Sequence, residues 1–249
     1  MRPSRRQLLL GTVLAACSRG GRRALRGAAA ADLEPAFTEL TAEFHAASGR
    51  PVVWSFASSG SLTQQLVHGA PFDLFASAST ALIKRLAELG RLVPQSQRDF
   101  ACGRLVLWAR PGVALPRTLA ELGRPGLGRV ALANPEHAPY GQAAVAALRS
   151  GGLYEAVRPR LVFAENVRQA LQFAQTGNAD VALTALALMR DGDAYTLVPA
   201  SAHPPLVATL AAVRGGDEAG AAQLAAFICG PRGQAILRRH GFAPATGSG

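Results

Sequence analysis

Three cysteines in 249 residues are too few for a disulfide scaffold. No C-x-x-C pair and no Cys/His cluster with zinc spacing occurs, which argues against a structural metal. Aromatic residues are scarce at 6 %, and Lys84 is the sole lysine, so 25 of the 26 basic residues are arginine. Those arginines are scattered, with clusters only at 22–26 and 238–239. A basic stripe with interleaved aromatics is missing, which argues against nucleic-acid binding. No G-x-S-x-G occurs, and no histidine is marked as the base of a nucleophile. Charge is low (17 %) and apolar content high (49 %), the reverse of a disordered chain. No collagen triplet or heptad period runs through the sequence.

What is present is a net charge of +10 (26 basic minus 16 acidic), a field that favours a small anion as ligand. The length suits two lobes of roughly 100 residues, each able to bury a core.

The N-terminus reads as an address. Arg2, Arg5 and Arg6 precede a short apolar stretch, so residues 1–16 read as an export signal. The run at 4–9 (SRRQLL) also resembles a twin-arginine signal. Residues 14–17 (LAAC) resemble a bacterial lipobox, in which Cys17 would be lipidated; the alternative is a cysteine at the end of an ordinary signal. Residues 17–26 then read as a tether. No later run of 18 apolar residues could span a bilayer as a helix. Cys102 and Cys229 could pair after export, but both sit in apolar stretches and read as buried small hydrophobes.

Strand and helix patterns alternate through the body, which predicts an α/β fold with largely parallel sheets. Phe37, Leu40 and Phe44 mark one helix face, with Asp32 placed to act as its N-cap. Val167, Ala170, Leu171 and Ala174 mark another. Three strand-to-helix junctions share a chemistry: 55–62 (SFASSGSL), 134–142 (NPEHAPYGQ) and 164–168 (AENVR). In a parallel sheet such junctions lie at the carboxyl ends of the strands, where helix N-termini offer free amides and a positive dipole end. Each junction alone reads as ordinary capping. Together they can form an oxyanion site without Lys or Arg.

Taken in order, residues 28–33 (AAAADL), 56–66 (FASSGSLTQQL), 69–78 (GAPFDLFASA), 103–108 (GRLVLW), 134–141 (NPEHAPYG) and 164–171 (AENVRQAL) resemble the molybdate-binding proteins of bacterial ABC importers. The likeness spans roughly residues 25–245. It implies a type II periplasmic-binding-protein fold, in which two lobes, each a mixed, mostly parallel sheet flanked by helices, close on a tetrahedral oxyanion. Lobe I would comprise 27–103 plus 208–249, and lobe II 104–207. By position, the resemblance assigns the anion contacts to Ala31, Ser59 with Ser58 beside it, Tyr140 through its amide, Val167 and Thr184. Ala31 stands where the family has a serine, and Thr184 where many members have a tyrosine hydroxyl.

The resemblance further implies a periplasmic or membrane-anchored, extracytoplasmic receptor that performs no chemistry. Molybdate or tungstate would be the ligand, molybdenum entering only as the oxyanion and not as a metal cation. It also implies a monomer with no cofactor, delivering to an ABC permease in the inner membrane. Alternatives are a receptor or sensor of the same fold for sulfate, phosphate or an organic acid, and a hydrolase, for which Glu136 and His137 offer only a loop-shaping pair. Ferric binding is disfavoured, because Tyr140, Tyr154 and Tyr195 are not neighbours in sequence.

Overall fold

The computed structural model describes residues 23–245; the export-signal and Cys17 readings lie outside these residues. The chain opens with β1 (Leu25–Ala30), a 3-10 turn (Ala31–Leu33) and α1 (Glu34–Ser48). It continues through β2 (Val52–Ala57), α2 (Ser59–Val67), β3 (Leu74–Ser77), α3 (Thr80–Glu88) and β4 (Arg98–Gly103). It then crosses to β5 (Leu105–Ala109), β6 (Val130–Ala133), α4 (Pro139–Ser150), α5 (Tyr154–Val157) and β7 (Leu161–Ala164). After α6 (Val167–Gln175), β8 (Val181–Ala185) and β9 (Thr196–Leu197), it returns as β10 (Leu206–Ala212), α7 (Glu218–Cys229) and α8 (Pro231–Arg239).

Two five-stranded sheets result, in the orders β2-β1-β3-β10-β4 and β7-β6-β8-β5-β9. β1 runs parallel to β2 and β3, while β10 runs antiparallel to β3 and β4. The second sheet repeats this with β6 parallel to β7 and β8, and β5 antiparallel to β8 and β9. Each sheet thus has four strands in one direction and one reversed strand. That reversed strand is the first one laid down after the chain crosses from the other lobe. This is the mixed, mostly parallel, two-lobed architecture that the sequence implies.

Alternation along the strands sends side chains to two faces. In the first sheet Leu74 and Ala76 join a core with Phe37, Leu40 and Phe44 of α1 and Leu224 and Ile228 of α7. Phe75, between them, faces Leu62 and Leu66 of α2 and Ile83 and Leu86 of α3. In the second sheet Ala131 and Ala182 face Ala170, Leu171 and Ala174 of α6. Helices therefore cover both faces of the first sheet, as a largely parallel sheet requires.

Several readings are corrected. β1 begins at Leu25, inside the stretch read as tether, because Leu25 and Arg26 pair with Val52 and Val53 of β2. The return to the first sheet begins at Leu206, opposite Gly103 of β4. Asp32 is not a helix cap: α1 starts at Glu34 after Leu33, with no side-chain cap. Cys102 and Cys229 are free thiols and only partly buried.

Asp73 ties the first lobe together. Its buried carboxylate accepts from the Arg26 amide at 2.7 Å, the Asp217 amide at 2.9 Å and the Arg23 guanidinium at 2.7 and 3.1 Å. Burial raises its pKa, but Arg23 and the two amides outweigh it and the net shift is downward. A lowered pKa means stability present above the unfolded value and lost as pH falls through the folded one. Asp73→Asn should therefore cost about 2–4 kcal/mol at neutral pH. Its melting temperature should converge on that of the wild type below about pH 4, which paired thermal melts would check.

Candidate functional site

The carboxyl ends of β1 and β2 in the first lobe, and of β6, β7 and β8 in the second, meet along one seam. The contacts across it are specific: the Gly60 amide donates to the His137 carbonyl at 2.8 Å, and the Ser61 hydroxyl donates to Glu165 Oε1 at 2.9 Å. Ser58 Oγ lies 2.9 Å from His137 Nδ1, and Arg168 pairs with Glu34. Lobes bridged in this way are in a closed arrangement. Two open clefts border the seam, one beside Arg168 and Glu34, the other beside Ser61 and His137.

Glycine makes the approach of the lobes possible. A Cβ on Gly60 would stand 2.4 Å from the His137 carbonyl oxygen, and one on Gly103 would stand 2.1 Å from the Tyr140 hydroxyl.

Ala31, Ser58, Ser59, Tyr140, Val167 and Thr184 are all buried at this seam. Ala31 begins the turn that follows β1. Ser59, Tyr140 and Val167 lie at the first turns of α2, α4 and α6, where helix geometry leaves amides without an intrahelical partner. Three helix N-termini from both lobes thus bring positive dipole ends to one place. No Lys or Arg is among these residues, and Arg168 is turned to Glu34.

The hydroxyls differ in what they can still do. Ser59 Oγ accepts the Ala78 amide at 3.0 Å, which leaves its own proton to donate. Ser58 caps α2 by accepting the Ser61 amide and also contacts Ser61 Oγ and His137. Thr184 directs its proton to the Val167 carbonyl at 3.1 Å, so it supports the start of α6 instead of presenting a donor. Asn166 caps the same helix through the amides of Arg168 and Gln169.

Ser58, His137 and Glu165 follow the order of a hydrolytic triad, with His137 Nε2 3.7 Å from Glu165 Oε2. Ser58 is buried and caps α2, and this run of side chains bridges the two lobes as a latch would.

Sequence reasoning missed one group. Asp32 is 1 % exposed and Tyr140 3 %, and the Tyr140 phenol comes from the opposite lobe to lie beside the Asp32 carboxyl. The phenol stands close enough to Asp32 to favour its charged form as a hydrogen-bond donor would, yet neither Asp32 Oδ1 nor Tyr140 OH completes a hydrogen bond of full geometry with any group. Burial pushes the Asp32 pKa up to about 6, opposed by the Tyr140 phenol and its own backbone. Burial, then Asp32, holds the Tyr140 phenol well above its ordinary range.

A family model described as bacterial extracellular solute-binding protein matches residues 25–243. The molybdate-binding protein of Rhodobacter capsulatus is 34 % identical over 212 residues, covering 84 % of this chain and 83 % of the relative. That of Azotobacter vinelandii is 31 % identical over 246 residues, covering 96 % and 97 %. The solved structure of the periplasmic molybdate-binding protein of Azotobacter vinelandii superposes with a TM-score of 0.84 at 30 % identity, covering 89 % of this chain and all of that one.

Two predictions follow from this geometry. A raised carboxyl pKa gives stability that is full below the unfolded value and lost as pH rises through the folded one. Asp32→Asn should thus stabilise the ligand-free protein by about 1–3 kcal/mol at pH 8, with the gain gone near pH 4. Thermal melts across that range would check it. Gly60→Ala gains up to about 1 kcal/mol of helix propensity but meets His137 only when the lobes close. It should keep or raise the ligand-free melting temperature while shifting small-angle scattering toward a more open shape.

Proposed function

The chain belongs to the bacterial extracellular solute-binding protein family, and from that premise we propose that it is a molybdate or tungstate receptor. It works outside the cytoplasmic membrane and delivers its anion to an ABC permease. The observation that carries the reading is the convergence of helix N-termini from both lobes on a buried site without basic side chains. Neutral donors suit an oxyanion that must be released, because no fixed cation holds it. The molybdate-binding relatives supply the choice of anion.

The Ala31, Ser59, Tyr140 and Val167 amides and the Ser59 hydroxyl bind the anion. Ser58 acts one step back, by capping α2 and joining the latch. Thr184 likewise acts through Val167. Because contacts come from both lobes, only the closed form makes all of them, so binding draws the open–closed equilibrium toward closure. The reading involves no bond making or breaking and needs no cofactor.

A thermal-shift panel with molybdate, tungstate, sulfate, phosphate and nitrate tests this. A ligand at 100 times its Kd should stabilise by about 2.7 kcal/mol, a rise of roughly 5–10 °C for a chain of this size. A shift with molybdate and tungstate is expected; none with any oxyanion would overturn the reading. Ser59→Ala should weaken molybdate binding by about 1–3 kcal/mol, measured by calorimetry. It should cost far less in fold stability, since only the Ala78 amide loses its acceptor.

A further inference from the structure

The anion-receptor reading leaves Asp32 and the Tyr140 phenol without a task. Only three buried side-chain polar atoms among the described residues lack a hydrogen-bond partner: Asp32 Oδ1, Tyr140 OH and Arg50 Nε. The first two belong to opposite lobes and meet at the seam, beside Ala31. Gly103 lies against the Tyr140 hydroxyl, where a Cβ would stand 2.1 Å from it, so the phenol has no room to retreat toward β4.

We propose that Asp32 and Tyr140 touch the bound oxyanion, and that the anion is taken up together with one proton, held between an anion oxygen and the Asp32 carboxyl. This deepens the receptor reading and rests on it. An ionised carboxylate is an acceptor only, and so is a fully deprotonated tetrahedral dianion. The two can share a contact only across a proton. Whichever partner formally carries that proton, the complex has one composition: protein, dianion and one proton from solvent. The Tyr140 phenol supplies a second, fixed donor.

The surroundings leave Asp32 as the group that must change. From α4 the titratable neighbour is Tyr140, and from β4 Cys102 faces Tyr140. From α1 and α6 the charged residues are Glu34 and Arg168, paired with each other. β2 and the turn at Leu186–Leu188 bring no ionisable side chain. At the latch stand His137 and Glu165. Burial already favours the neutral carboxyl, with a pKa near 6, and an adjacent dianion favours it further.

The test is calorimetry of molybdate binding from pH 6.0 to 8.5, each point in two buffers of different ionisation enthalpy. The wild type should take up close to one proton per molybdate at pH 8.5 and about half as many at pH 6. Its Kd should rise about tenfold per pH unit above the free Asp32 pKa. Asp32→Asn, whose amide donates without a proton, should bind with no proton uptake and a flat pH profile. Tyr140→Phe should weaken binding at every pH and leave the proton count unchanged. Wild-type binding without proton uptake at pH 8.5 overturns this proposal and leaves the receptor reading standing. So does proton uptake that survives in Asp32→Asn. A folded wild type that binds no oxyanion at pH 6 overturns both readings.

Discussion

Each sheet depends on a strand that the other lobe hands over. β10 lies between β3 and β4, and β5 between β8 and β9, each running against both of its neighbours. Neither sheet is continuous until the chain has crossed, and the first crossing is the shorter: a single residue, Arg104, separates β4 from β5, whereas residues 198–205 carry the chain back from β9 to β10. This fixes the relative placement of the lobes. The carboxyl ends of β1, β2 and β3 face those of β6, β7 and β8, and the helices that follow them start at the seam. A site made of helix N-termini is thus a consequence of topology before it is one of side chains.

The seam is held by contacts that are individually weak. Arg168 and Glu34 are both partly exposed, with 59 % and 30 % of their side-chain surface open, and such a pair contributes about 0–1 kcal/mol. The Gly60–His137 hydrogen bond is of the ordinary net strength of about 1 kcal/mol. Neither contact is large beside the free energy a ligand with contacts in both lobes can add to closure, so such a ligand can shift the population. A tighter latch would close the lobes on nothing and slow release.

Much of this was readable in the sequence, for local reasons. The α1 and α6 faces follow from the spacing of Phe37, Leu40 and Phe44 and of Val167, Ala170 and Leu171. The junctions were visible because Ser58 and Asn166 are caps, and caps mark helix starts within one or two residues. β4 was not: residues 98–103 (RDFACG) show no clean alternation, and their pairing partner is β10, about a hundred residues later. The Thr184 bond to Val167 joins a strand to a helix and has no sequence signature. Asp32 misled because Asp before an apolar helix reads as a cap. A 3-10 turn intervenes, and what the carboxyl meets is Tyr140 from the other lobe.

Magnitudes decide how a carboxyl can sit in an anion site. Two unit charges about 4 Å apart at an effective dielectric near 20 interact by about 4 kcal/mol, so an ionised Asp32 beside a dianion would face roughly twice that in repulsion. Protonating a group with a pKa of about 6 at pH 7 costs about 1.4 kcal/mol. The neutral carboxyl wins by several kcal/mol, and a neutral carboxyl is a donor. Asp32 is then of a kind with the rest of the site: an uncharged group that offers a hydrogen. It differs from a serine in one respect, that its donor exists only after a proton has been taken from solvent. The helix N-termini provide donors that are always present, and Asp32 adds one that follows the occupancy of the site.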